Sequence, residues 1–109
     1  MTDYIISEVC SISGCTETEV KSKSKKLAIV RARQILISYN HLIEFKNQND
    51  SAIEFNKSHS VTVHSIKTVQ KDYNTDKNYR KLFGEFLESN DKILRHKFHS
   101  YESKQVDIF

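Results

Sequence analysis

Residues 57–64 read KSHSVTVH, and whether they form a strand or open a helix decides the fold class of the chain. Val61 and Val63, two apart with polar neighbours, fit the alternation of a half-buried strand. The residues that follow favour a helix. Thr62, Ile66, Val69 and Tyr73 recur at helical intervals, Val63 stands beside Ile66, and KTVQKDY runs on without a glycine or proline. Ser58, just before His59, is placed to cap such a helix, and the β-branched Val61, Thr62 and Val63 impose a propensity cost that packing overrides.

Composition points the same way. The 109 residues include two glycines and no proline, with many Lys, Glu, Ile and Leu, whereas strand-rich folds need more punctuation. An all-α domain of about six helices is expected, with a modest core of the size one domain can bury. Ile5, Ile6, Val9, Cys10 and Ile12 lie on one face of a first short helix, with Gly14 placed to end it at positive φ. Thr16 and Glu19 then form a capping-box pair for a second. KSKSKK reads as a loop with Ser24 as cap, and the apolar positions from Leu27 to Ile43 predict a long third helix over Lys25–Phe45. KNQND breaks that pattern, and SAIEF is sufficient for a turn or two of a fourth helix. After the fifth helix, Tyr79, Leu82, Phe83, Phe86 and Leu87 stand at offsets 0, 3, 4, 7 and 8, the core stripe of a sixth. DKILRHKFHSY extends or follows it.

The net charge of +3 is too small to argue for a partner, but its distribution is uneven. KSKSKKLAIVRAR carries Lys21, Lys23, Lys25, Lys26, Arg31 and Arg33 without an acid. An isolated basic run is ordinarily a solvated face. This one does not stand alone.

EVKSKSKKLAIVRARQILISY and FNKSHSVTVHSIKTV together resemble the DNA-binding C-terminal domain of the bacterial replication initiator DnaA, with its SKxRxxxVxxARQ-like and DHTTVLHA-like segments at this order and spacing. The resemblance covers about residues 3–85. It implies a helix-turn-helix domain over 1–88, followed by a helical extension over 89–104 and a tail over 105–109. It further implies a double-stranded DNA-binding protein, in which the fifth helix reads the major groove and the basic loop reaches the minor groove. By position, Lys25 falls where the family usually has arginine, with Lys21, Lys23 and Lys26 beside it. Arg33 and Gln34 fall at phosphate-holding positions. Lys57, Ser58, His59, Ser60 and Val61 fall at the start of the recognition helix, and His64 approaches the backbone one turn and a half further on. Ala52 is the small packing residue of the preceding helix. Ser58 replaces the family's aspartate and Ser60 its first threonine. No GxxxxGK[ST] loop is present, so the ATP-driven motor of DnaA is not expected here. The expected role is an origin-binding accessory or regulator of replication or transcription, of the kind a phage or mobile element would carry.

QVDIF, formed by Gln105, Val106, Asp107, Ile108 and Phe109, resembles the peptide with which bacterial replication proteins bind the sliding clamp. An alternative role is therefore an adaptor that binds a replication protein. No cofactor or metal is expected: His96 and His99 stand three apart with no nearby Cys or carboxylate pair to complete a ligand set. No nucleophile-base grouping supports an enzyme. The opening MTDYIISEVC has two acids and no long apolar run, so neither a secretory leader nor membrane association is expected, and the expected compartment is the cytoplasm. There Cys10 and Cys15 would be thiols, Cys10 in the core and Cys15 near the surface.

Overall fold

Amphipathic stretches separated by capping signals fold as helices. The computed structural model describes residues 3–98, and among them are seven helices and no strand. These are α1 (Asp3–Ser13), α2 (Glu17–Val20), α3 (Leu27–Leu42), α4 (Gln48–Ile53), α5 (Ser60–Thr75), α6 (Lys77–Ser89) and α7 (Lys92–Arg95). The fold is all-α, and KSHSVTVH opens α5 rather than forming a strand. Thr62, Ile66 and Val69 turn the buried face of that helix inward, and Ser65 lies with them.

α3 is the central element and touches α1, α2, α4, α5 and α7. Ile35, Leu36 and Ile37 on α3 are wholly buried, and they share one core with Ile6 and Val9 of α1, Phe55, Val69 of α5 and Phe83 and Leu87 of α6. Each such side chain contributes roughly 1.5–3 kcal/mol of transfer free energy. Tyr79 and Phe83 pack as a tilted pair with centroids 4.9 Å apart, so these two aromatics are core residues.

The local signals account for most helix ends. Gly14 has φ 74° and closes α1. Thr16 and Glu19 exchange the two hydrogen bonds of a capping box, at 2.9 and 3.1 Å. Asp76, which ends α5, caps α6 by accepting from the N–H groups of Asn78 and Tyr79 at 3.0 Å each.

Three boundaries or faces differ from the sequence expectation. α3 begins at Leu27, not Lys25, because Ser24 spends its hydroxyl on a turn within the loop, accepting from Lys26 N–H at 3.3 Å. α4 begins at Gln48, inside KNQND, because Asn47 caps it through Asp50 N–H at 2.7 Å. Leu82 is 52% exposed, although it fits the helical stripe, because α6 has only a narrow buried face. α7 follows α6 after a short break, one of the two arrangements expected, and inserts Ile93 into the same core.

Candidate nucleic-acid interface

The basic loop between α2 and α3 is built by alternation. In KSKSKK the serines turn toward the backbone and the lysines toward solvent: Ser22 donates to Glu19 carbonyl at 2.6 Å and accepts from Ser24 N–H at 3.1 Å. Lys23, Lys25 and Lys26 are exposed and make no ion pair among the described residues, whereas Lys21 is paired with Glu17 at 3.1 Å. Pairing across one helical turn lowers the net field of Lys21, so the three later lysines carry most of the charge of this loop.

Arg33 shapes the loop from below. It is 4% exposed, and its guanidinium donates to the carbonyls of Val20 at 2.9 Å, Ser22 at 2.9 Å and Ser24 at 3.1 Å. Burial pulls its pKa below the ordinary value, and Cys15 opposes that pull. The resemblance places Arg33 on a phosphate. The structure places it on three carbonyls, because the α2–α3 loop folds over the guanidinium and takes its donors. Gln34, its neighbour, is half-buried on α3.

The second segment comes to the same face through the turn between α4 and α5. Asn56 has φ 58°, a left-handed conformation that asparagine tolerates. Lys57 N–H reaches back to Ala52 carbonyl at 3.1 Å and Asn56 N–H to Ile53 carbonyl at 3.0 Å, which together make a Schellman end for α4. Ala52 is fully buried, as a small packing residue must be at this crossing. Phe55 is buried beneath the turn. Asn56 Nδ2 then donates to Lys21 carbonyl at 2.7 Å. That bond joins two segments 35 residues apart.

The consequence is electrostatic. Lys57 is half-buried and has no ion-pair partner among the described residues, and its pKa is lowered first by burial and then by the charges of Arg33, Lys25 and Lys23. Lys57 therefore stands close enough to the other three cations to be repelled by them, which favours an anionic partner at this surface.

The start of α5 projects beside them. Ser58, His59 and Ser60 are all exposed. Ser58 does not cap the helix backbone: its hydroxyl lies 3.0 Å from that of Ser60, and His59, at the cap position, makes no side-chain cap bond. The hydroxyls and the imidazole are thus presented outward. Val61 is half-buried against the core, which argues for a packing role at that position. His64 is exposed one turn on, with Nε2 3.5 Å from Thr68 Oγ1.

Two residues that fix this geometry were not among the candidate site residues of the sequence. Thr62 donates from Oγ1 to Gln48 carbonyl at 2.7 Å, and so ties α5 to the first turn of α4. Asn40 of α3 donates to Ser51 carbonyl at 3.3 Å and to Glu54 at 2.9 Å, and so seats the end of α4. A polar residue at a core interval of a helix is the signal that marks Thr62. Asn56 had a weaker one, an asparagine directly after a short apolar run.

The tail residues Gln105, Val106, Asp107, Ile108 and Phe109, and also His99, lie outside the described residues. No group of three metal-ligating side chains is found among the described residues, and no helix is long and apolar enough to cross a membrane.

The elements and their shared face define an all-α domain that presents clustered lysines beside an exposed helix start. No family model, curated protein or solved structure matches this chain.

Proposed function

We propose that the protein binds double-stranded DNA in the manner of the DnaA C-terminal domain. In this reading α4 and α5 form a helix-turn-helix, and the α2–α3 loop follows the adjacent minor groove. The observation that supports it is the Asn56–Lys21 hydrogen bond, which sets the start of α5 and the basic loop on one face. Lys23, Lys25, Lys26 and Lys57 neutralise phosphates, and the partial relief of their mutual repulsion adds to the affinity. Lys25 enters the minor groove, where the negative potential is concentrated, as a point charge without the planar fork of arginine. Ser58, His59 and Ser60 offer hydroxyl and imidazole groups to base edges and phosphates. Arg33 acts one step back, as the residue that holds the loop in shape.

On this reading the chain is an accessory or regulatory DNA-binding protein of replication or transcription. The test is fluorescence anisotropy with a duplex carrying a DnaA-box sequence and a scrambled duplex, at low and physiological salt. Preference for one duplex that persists at physiological salt supports a sequence reader. Equal binding that disappears with salt reduces the reading to a phosphate grip, and no binding at either salt refutes it. Lys25→Ala should lower affinity with the helical circular dichroism unchanged; unchanged affinity removes the minor-groove assignment.

A further inference from the structure

The end of α1 joins two cysteines. Cys15 N–H donates to Cys10 carbonyl at 3.0 Å and Gly14 N–H to Ser11 carbonyl at 3.4 Å, with Gly14 at φ 74°. These are the two bonds of a Schellman end, a turn that brings the side chains of its first and last residues into contact. That contact is ordinarily apolar. Here both partners are free thiols, Cys10 buried and Cys15 half-buried against the same core.

Two further facts describe the pair. The Cys10 thiol is pushed up to about 12, first by burial and then by hydrogen bonding with Cys15 and by its charge. Arg33 lies close enough to Cys15 for its own ionisation to respond to that thiol. Of the two sulfurs Cys15 is the more accessible, and a thiolate is the form that reacts with oxidants.

We propose that Cys10 and Cys15 are a redox-modification site: a dithiol that a peroxide converts to an intramolecular disulfide and a small thiol restores. In the first step the Cys15 thiolate attacks an oxygen of hydrogen peroxide, giving a sulfenic acid and hydroxide. In the second the Cys10 sulfur attacks the Cys15 sulfur, and the hydroxyl group leaves as water with the Cys10 proton. Two thiols and one peroxide become one disulfide and two waters, and both sulfurs are oxidised by one electron each. Burial makes Cys10 a slow nucleophile toward solvent, but the turn holds it against its target. The effective concentration of the intramolecular thiol then outweighs its low thiolate fraction.

The disulfide closes a ring that the backbone bond between Cys15 and Cys10 already closes, so little loop-closure entropy remains to be lost. Its effect is protective: a sulfenic acid trapped by a neighbouring thiol does not proceed to sulfinic acid, which small thiols do not reverse.

The experiment treats the full chain with stoichiometric hydrogen peroxide and reads intact mass and a non-reducing gel. The expected product is a monomer lighter by about two mass units, restored by dithiothreitol, with a peptide map joining Cys10 to Cys15. Cys10→Ser under the same treatment should instead gain oxygen at Cys15. Oxygen adducts on the wild type, a disulfide-linked dimer, or an unchanged mass would overturn the proposal. If Cys10→Ser fails to fold, iodoacetamide labelling of the denatured wild type gives the same reading, with both thiols lost together after peroxide and regained together on reduction.

Discussion

At the scale of single residues, position within the fold has redirected side chains whose type suggested another use. Arg33 belongs to the most basic stretch of the chain, yet it is sequestered by three carbonyls. A lysine has one compact ammonium and cannot span them. Arg33→Lys should therefore cost roughly 2–4 kcal/mol, read as a lower midpoint in urea, and it should weaken DNA binding by loosening the loop. Restored loop geometry without that loss of stability would refute the bracing role. Tyr79 offers the opposite case. Its hydroxyl is buried with no hydrogen-bond partner among the described residues, while Arg31 stacks over its ring at 5.1 Å from the centroid. Burial raises its pKa far above the ordinary tyrosine range. Tyr79→Phe keeps the ring and removes an unsatisfied group, so it should leave stability unchanged or raise it by about 1 kcal/mol. A fall of similar size in thermal or urea denaturation would show that the hydroxyl has a stabilising partner.

At the scale of elements, caps and cross-element bonds decide how the helices meet. Asp76 is shared by α5 and α6: it ends one, caps the other and pairs with Arg31 of α3 at 3.0 Å. Its pKa is lowered, first by the bond from Tyr79 N–H, with burial opposing, and then by the hydrogen bond and charge of Arg31. A carboxylate with a depressed folded pKa stabilises above its unfolded value, near about 3.9, and that contribution is lost as pH falls through the folded value. Asp76→Asn retains a capping oxygen but not the charge. It should lower the melting temperature at neutral pH, and the difference from wild type should close as the pH is taken below the usual carboxylate range. A difference that stays constant with pH would assign the loss to packing instead. Thr62 performs a comparable task between α4 and α5. Thr62→Val, similar in volume, should cost about 1 kcal/mol in urea denaturation and weaken DNA binding by more than its stability cost explains, because α5 is no longer fixed against α4.

At the scale of the whole molecule, the modest net charge conceals a concentrated field. Lys57 feels the charges of Arg33, Lys25 and Lys23, while Lys21 is offset by Glu17. If Lys23, Lys25, Lys26 and Lys57 each neutralise one phosphate, the logarithm of the binding constant should fall against the logarithm of salt with a slope of about −3 to −4. Affinity should then drop by about two orders of magnitude between about 50 and about 200 mM salt, and Lys57→Ala should reduce the slope by about one unit. A slope near zero would rule out a phosphate-bound face. The apolar side chains Leu27, Phe45 and Leu82, which remain 62%, 77% and 52% exposed, do not form part of the shared core.

The sequence by itself determined the helical class, the order of helices, and the ends that depend on local chemistry: Gly14, the Thr16–Glu19 box and the amphipathic stripe of α6. Those features arise from backbone preferences and hydrogen bonds within a few residues, which neighbours in the chain suffice to specify. It also gave the candidate lysines and the exposed start of α5, because charge and pattern are visible residue by residue. Tertiary structure alone decided which of them act together. Arg33 could not be distinguished from its basic neighbours until the α2–α3 loop closed over it, and Asn56 acquired its role only when a carbonyl 35 residues away was brought within 2.7 Å. Contacts between distant segments depend on how the helices cross around α3, and no local pattern encodes that geometry.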